Sequence, residues 1–149
     1  SSFLPHWEES KKAGDEKEYP FSLHIFKTMA LTRGRNANQP WLSENFGPHL
    51  LERWTTWLEI NPHTAKELGI SDGDWIWVEA KFGKIRAKAR LYQGAMPDVV
   101  NIPFGLGHVS GGRWAKGLGA NPYHLLGDDL DPLTGNPVDR SSRVKIYKV

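Results

Sequence analysis

The sequence contains no cysteine among its 149 residues. The chain therefore forms no disulfide bond and supplies no thiolate ligand to a zinc ion or an iron–sulfur cluster. No apolar run approaches the roughly 20 residues that a membrane-spanning helix needs. The net charge is only +2, and the cationic residues are spread along the chain. This pattern argues against a nucleic-acid-binding protein, so we expect neither nucleic-acid binding nor direct membrane insertion.

Glycine and tryptophan, in contrast, are plentiful, with 15 Gly and 7 Trp. Together they favour a loop-rich β protein, and the length suits one domain with a sizeable core. The clearest local signals lie between residues 59 and 80. Asn61 can cap a short helix, Pro62 suits its first position and Gly69 suits its end. A turn at 71–74 then leads into a β-rich segment.

Alternation of apolar and polar residues predicts six short strands, at 21–25, 56–60, 75–80, 84–92, 99–102 and 143–149. The third and fourth form a hairpin, Pro103 is expected to stop the fifth, and residues 123–126 are interpreted as extended. Few segments favour helix beyond a turn or two around Glu44 and after Pro48. We therefore predict a mainly β, closed six-stranded barrel with a few short helices at 19–149, preceded by an arm or linker at 1–18.

The barrel interior should hold the apolar positions of these strands and of the segment between them. The predicted core residues are Ile60, Leu68, Ile70, Ile76, Val78, Ile85, Ala87, Ala89, Leu91, Val100 and Ile102. The other face of the fourth strand carries Lys84, Arg86, Lys88 and Arg90. Four cations in one row suggest phosphate binding, but alternation alone explains them as one solvated face of an antiparallel sheet, which is the favoured interpretation.

Two aperiodic loops are candidates for ligand binding. Residues 27–38 offer hydroxyls, amides, three cations and a glycine, which suit a pyrophosphate. Residues 104–113 and 117–121 are glycine-rich, and glycine lets a backbone approach a planar ligand closely. Neither loop is a Rossmann or P-loop motif. Composition alone leaves ligand binding and ordinary barrel loops equally open.

A series of motifs resembles the C-terminal, dinucleotide-binding domain of molybdopterin oxidoreductases in the DMSO reductase superfamily, of the polysulfide reductase, thiosulfate reductase and formate dehydrogenase type. The order and spacing agree from about residue 19 to 149. The motifs are YPFSL at 19–23, RNANQPWL at 35–42, INPHTAKELGISDGD at 60–74, VVNIPFGLGH at 99–108, GAN at 119–121 and DPLTGNP at 131–137.

The resemblance implies a double-psi β-barrel that binds bis(molybdopterin guanine dinucleotide) with Mo or W and orients it. The implied cofactor-binding residues are Lys27, Thr28, Thr32, Arg33, Gly34, Arg35, Asn36, Phe104, Gly105, Gly107, His108, Asn121 and Tyr123. No catalytic residue and no metal ligand is expected in this chain. Two positions depart from the family pattern: Leu31 stands where many relatives have a His, and Tyr123 where many have an Asn.

The same resemblance implies partners. These are the remaining domains or a large catalytic subunit of an oxidoreductase that carries an iron–sulfur cluster, and exposed Trp41 and Trp114 are expected to face them. The isolated chain should have no redox activity, and the resemblance slightly favours a periplasmic location. The alternative is a double-psi adaptor module without cofactor, for which the motifs at 99–137 would have no use. A hydrolase is a distant third interpretation, since no nucleophile–base spacing is visible.

Overall fold

A computed structural model describes residues 4, 6, 7, 9, 12–44, 52–138 and 142–149. In these residues two short α-helices, α1 (Pro40–Glu44) and α2 (Pro62–Glu67), and two 3₁₀ helices, Thr32–Gly34 and Pro122–Leu125, accompany six strands. The strands are β1 (Phe21–Lys27), β2 (Trp57–Ile60), β3 (Trp75–Ala80), β4 (Gly83–Leu91), β5 (Val99–Phe104) and β6 (Arg143–Lys148).

The six strands close into a barrel in the order β1-β5-β2-β4-β3-β6, which confirms the predicted fold class. Strands β1 and β5 run parallel, as do β2 and β4, whereas the other neighbours are antiparallel. Two parallel pairs in so small a barrel are consistent with a double-psi arrangement, which stays a prediction. The loops that follow two parallel neighbouring strands emerge at the same end of the barrel, and the candidate site lies at such an end.

The barrel core is apolar and matches the predicted strand register. Ile76, Val78, Ala87, Ala89, Val100 and Ile102 are each fully buried. Two predicted core residues are wrong, because Leu68 is 42% exposed and Leu91 is 38% exposed. Leu68 caps α2 beyond the buried pair Thr64 and Ala65. Leu91 is the last residue of β4, so it has the inward side of the alternation but lies at the barrel rim.

The segment from Asn61 to the third strand folds as its local signals predict. The Asn61 Oδ1 accepts a hydrogen bond from the His63 backbone N at 2.9 Å, and Pro62 opens α2. Gly69 follows the helix with φ +66°, a conformation that glycine adopts without a Cβ penalty. In the turn that follows, Asp74 accepts from the Ser71 backbone N at 2.8 Å. The predicted hairpin is confirmed, with Ala80 paired to Gly83 at its tip.

Three local predictions are corrected. Strand β5 does not stop at Pro103 but runs on to Phe104, because its parallel pairing with β1 continues there, while its pairing to β2 lies earlier, at Asn101. Residues 123–126 are not extended, since a 3₁₀ helix covers Pro122–Leu125. Residues 27–38 are not wholly an aperiodic loop, because they contain a 3₁₀ helix at Thr32–Gly34. The turn predicted after Pro48 lies outside the described residues.

Candidate functional site

The parallel pairing of β1 with β5 brings the two candidate loops together. The register ends with Lys27 opposite Phe104, so the loop that follows each strand leaves the barrel beside the other. The motif at 119–121 is then attached to the second loop, since the Gly107 backbone N donates to the Leu118 carbonyl at 2.8 Å. All three segments singled out in the sequence therefore meet at one end of the barrel.

The first loop, residues 27–36, is held by its own hydroxyls. Thr28 is buried, and its Oγ1 accepts from the Leu31 backbone N at 3.4 Å. The Asn36 amide donates to the Thr32 Oγ1 at 2.9 Å. Thr32 and Arg33 have φ values of +40° and +56°, which non-glycine residues adopt only at a cost of about 1–2 kcal/mol. Such strained residues concentrate at binding sites, where the surrounding structure holds them in place.

Three glycines let these loops contact one another. A Cβ on Gly34 would lie 3.1 Å from the His108 Nε2, and one on Gly105 would lie 2.8 Å from the Leu31 Cβ. A Cβ on Gly107 would lie only 2.2 Å from the Asn121 backbone N. The distances at Gly105 and Gly107 are shorter than a Cβ contact permits, and the one at Gly34 is tight, so the close approach depends on glycine. Their direct role is packing of one loop on another.

His108 and Asn121 are also engaged within the protein. The His108 Nε2 lies 3.2 Å from the Gly105 carbonyl oxygen, and the residue is half-buried. Asn121 caps the second 3₁₀ helix, because its Oδ1 accepts from the Tyr123 backbone N at 3.1 Å. The side-chain oxygen of Asn121 is therefore committed to the fold.

A polar cavity of about 590 Å³ opens beside these loops. Its size lies within the range of small-molecule sites. Four of the sequence-predicted residues line it, namely Lys27, Arg33, Phe104 and Tyr123. The rings of Phe104 and Tyr123 meet edge to face, with centroids 5.3 Å apart. The other predicted residues do not line it.

Sequence reasoning missed the other five residues that line this cavity: His24, Ile25, Phe26, Asn136 and Pro137. Alternation in β1 places His24 and Phe26 on the outer face but does not say what lies against that face. The DPLTGNP motif contains Asn136 and Pro137 and is part of the family resemblance, but neither residue is among the implied cofactor-binding residues. The Asp131 Oδ1 accepts from the backbone N of Thr134 at 2.7 Å, so this motif is a self-capped turn.

A further missed residue is Thr56, just before β2. It is 1% exposed, and its hydroxyl both donates to the Ala120 carbonyl at 3.0 Å and accepts from the Ala120 N at 2.9 Å. Thr56 thus fastens the 119–121 segment to the barrel wall. A threonine at a strand start gives no sequence signal for such a distant contact.

The cations at and near the cavity have no carboxylate partner among the described residues. Lys27, Arg33 and Arg35 are exposed, and no carboxylate of the described residues lies within 4.0 Å of them. Lys27 and Arg33 line the cavity, whereas Arg35 does not. Unopposed guanidinium and ammonium groups beside aromatic edges and an amide form a donor set that suits a phosphorylated heterocycle. The residues present therefore fit a pterin dinucleotide.

The cationic row on β4 is different, because each of its charges has a partner in the fold. Lys84 lies 4.5 Å from the Trp77 ring, and Arg86 lies 4.6 Å from the Trp75 ring. Lys88 and Arg90 both pair with Glu52, whose side chain is only 9% exposed. The interpretation as a face of the sheet, rather than a phosphate site, accounts for all four.

The described residues contain no group of three or more His, Asp or Glu side chains that could hold a metal ion. Nor does any helix in the described ranges have the length and apolar character to cross a membrane. Trp41 is 59% exposed and Trp114 is 39% exposed. The Trp114 ring lies 5.8 Å from Trp54, and Arg113 lies 4.8 Å from it.

Comparison with known proteins gives the chain relatives of much greater length. It is 36% identical over 143 residues to the arsenate respiratory reductase molybdopterin-containing subunit ArrA of Chrysiogenes arsenatis, covering 90% of this chain and 17% of that protein. It is 37% identical over 142 residues to dopamine dehydroxylase of Eggerthella lenta, covering 92% and 13% respectively. The chain thus spans less than a fifth of these relatives.

Comparison with solved structures finds a similar fold. Acetylene hydratase from Pelobacter acetylenicus superposes with a TM-score of 0.75 at 23% identity, covering 98% of this chain and 21% of that one. The profile of the family described as "Molydopterin dinucleotide binding domain" matches residues 29–140, which include the three loops except for Lys27 and Thr28 at the start of the first. The chain therefore belongs to the molybdopterin dinucleotide-binding domain family of the DMSO reductase type of oxidoreductases.

Proposed function

We propose that this chain binds and orients a molybdopterin dinucleotide as one domain or subunit of a larger molybdenum oxidoreductase. The observation that carries the proposal is the register of β1 and β5, which sets Lys27 opposite Phe104 and assembles the loops around one cavity. Family membership supports the same cofactor class. The guanine form, a pair of such pterins, and tungsten as an alternative metal are the finer parts of the proposal.

Each part of the cavity has a binding role in this proposal. Lys27 and Arg33 contact phosphate oxygens, where a charge-assisted hydrogen bond contributes about 1.5–3 kcal/mol. Phe104 and Tyr123 pack against a ring of the ligand, and Asn136 offers donor and acceptor atoms to its polar edge. Gly105 and Gly107 let the 104–108 segment lie close to the first loop and to the 119–121 segment. The bound cofactor supplies the redox chemistry, and these residues fix its position.

The remaining domains or a large catalytic subunit complete the enzyme in this proposal, including any iron–sulfur cluster. The cysteines for such a cluster must come from there, because this chain has none. Trp41 and Trp114 are exposed on α1 and on the second loop. Large exposed aromatic side chains are typical of protein interfaces, and these two are the proposed contacts to the partner.

The test changes Lys27 and Arg33 to Ala in the assembled enzyme and measures bound molybdenum and guanine nucleotide after a fixed dilution. Loss of one contact should weaken binding about 10- to 150-fold, so the double variant should lose most of its cofactor. Lys66→Ala, an exposed cation on α2 far from the loops in sequence, is the matched control. Asn121→Ala is a poorer test, because it also removes a helix cap.

If the folded double variant keeps its full content of molybdenum and guanine nucleotide, the proposal is contradicted and the adaptor interpretation is favoured instead. Retained pterin with a nucleotide base other than guanine would instead contradict only the guanine assignment. Circular dichroism and the unfolding midpoint of each variant show whether the barrel is intact. Because both side chains are exposed, neither substitution should disturb the core.

A further inference from the structure

Three polar residues form a row across the outer face of β1, β5 and β2. His24 lies opposite Asn101, and Asn101 lies opposite Glu59. All three are half-buried. Hydrogen bonds link His24 to Asn101 and Asn101 to Glu59. In each of these bonds the donor and the acceptor can be assigned.

The assignment follows from the chemistry of the groups. The Trp57 Nε1, which can only donate, contacts the Glu59 Oε1 at 3.3 Å, and the Asn101 Nδ2 contacts the Glu59 Oε2 at 3.5 Å. Both oxygens of Glu59 therefore accept. The Asn101 amide then has its Oδ1 directed at the His24 Nδ1, 3.0 Å away. An oxygen needs a donor, so Nδ1 of His24 carries a proton and the lone pair of the neutral ring lies on Nε2.

His24 also lines the candidate cofactor cavity. It shares that wall with Lys27 and Arg33, the two cations assigned to phosphate above. Its ring stacks on Phe26 with centroids 6.2 Å apart, which restricts how it turns. A histidine fixed at one nitrogen and next to an anion-binding cavity is arranged to gain a proton when the anion arrives.

We propose that His24 is a proton-linked ligand for a phosphate group of the dinucleotide, held in place by Glu59 through Asn101. The inference rests on the proposed function, because it needs an anion in this cavity. Binding takes one proton from solvent onto the His24 Nε2. That nitrogen then donates to a phosphate oxygen, while Nδ1 continues to donate to Asn101.

The charges around His24 agree with this linkage. Lys27 and Arg33 face it from the first cavity, and Lys12 and Asp98 line a second cavity of about 500 Å³ on its other side. With Glu59, these groups place three cations and two carboxylates around the row, and an anion would offset the excess of positive charge. Burial raises the pKa of Glu59, and the bonds from Trp57 and Asn101 and the charge of His24 lower it, so a protonated His24 and an ionised Glu59 support each other.

The experiment uses the 149-residue chain and the probe P1,P2-di(guanosine-5′) diphosphate, whose phosphodiester groups do not titrate near neutral pH. Its affinity is measured by NMR and calorimetry at about pH 5.5 and about pH 8, on either side of the ordinary histidine range. The wild-type chain should bind about tenfold more tightly at the lower pH, and the His24 titration midpoint should move up by about one unit. The His24→Gln chain should lose this pH ratio.

His63→Gln is the matched control, since His63 is an exposed histidine that also lies beside a carboxylate, at 3.5 Å from Glu67. It should keep the wild-type ratio. Glu59→Gln, which keeps an acceptor for Trp57 or Asn101 but removes the charge, should lower the ratio without abolishing binding. Buffers of different ionisation enthalpy report the proton uptake directly.

Binding in the cavity with equal affinity at both pH values, or with an unchanged His24 midpoint, would overturn this inference and leave the proposed function standing. Failure of the probe to shift the Lys27 and Arg33 signals at either pH would overturn it as well. In that case the proposed function is decided separately, by the cofactor content of the assembled Lys27 and Arg33 variant. The assignment of the proton to Nδ1 of His24 can be tested in the unliganded wild-type chain. The carbon chemical shifts of the neutral His24 ring should be those of the Nδ1–H form.

Discussion

Gly107→Ala gives a sharp test of how the site loops are packed. Gly107 has φ +84°, and an added Cβ would lie 2.2 Å from the Asn121 N and 2.4 Å from the Ala120 carbonyl carbon. Both neighbours are backbone atoms, so no side chain can rotate away. The segment at 119–121 would have to move as a unit, and it is fastened to the barrel by Thr56.

The expected cost has two parts. A side chain at positive φ costs about 1–2 kcal/mol, and inserting a methyl group into packed structure costs a further 1–3 kcal/mol or so. Gly117→Ala is the matched control, because Gly117 lies in the same loop with φ +75° but has no atom within 4 Å of the added Cβ. Only the conformational part applies there. The difference between the two variants should therefore be about 1–3 kcal/mol.

The assay is urea unfolding of the 149-residue chain, monitored by tryptophan fluorescence. The two variants are compared provided that the dependence of the free energy of unfolding on urea concentration is the same for both. Thermal midpoints should separate by about 2–4 °C for each kcal/mol of that difference, given the chain length. Equal destabilisation by the two substitutions would refute the conclusion that Gly107 is required for contact between the loops. A larger effect at Gly117 would refute it more strongly.

Two further predictions concern the anchors of the same region. Thr56→Val leaves the Ala120 N and carbonyl without their buried partner and should lower the free energy of unfolding by about 1–3 kcal/mol, while Thr56→Ser should keep most of it. Hydrogen bonds from the Thr134 backbone and hydroxyl lower the pKa of Asp131, so its stabilising effect is present above the ordinary carboxyl pKa and is lost as the pH falls through the lowered value. Asp131→Ala should therefore be less stable than the wild type at neutral pH, and the gap in urea midpoint should close in acid; a gap that widens in acid would contradict this.

The parts of the fold that were predictable from sequence are those fixed by neighbours along the chain. Strict alternation in β4 gave the buried positions Ile85, Ala87 and Ala89. Asn61 and Pro62 gave the start of α2. Asn121 and Pro122 repeat that same signal and open the second 3₁₀ helix, so the extended interpretation of residues 123–126 missed information that was present.

Other features depend on contacts between distant residues, and no local pattern contains them. Leu68 and Leu91 are apolar and have the spacing of buried positions, yet both are exposed. Whether a position at the rim of the barrel is buried depends on which distant segment packs against it. Pro103 has no N–H to donate, which predicts the end of a strand, but its neighbour in β1, Phe26, continues the register past it. The pairing of β1 with β5 likewise joins residues about eighty positions apart. Because the cavity depends on this pairing, no local pattern predicts that His24 lines it.

The distribution of charge separates the structural cations from those that await a ligand. On β4, Lys84 and Arg86 lie on tryptophan rings, and Lys88 and Arg90 pair with Glu52. At the loops, the described residues provide no such partner for Lys27 or Arg33. Lys27 and Arg33 are exposed beside the cavity and are therefore available to an anion there. Cations that face a cavity without a carboxylate partner among the described residues are what a site for a phosphate group requires.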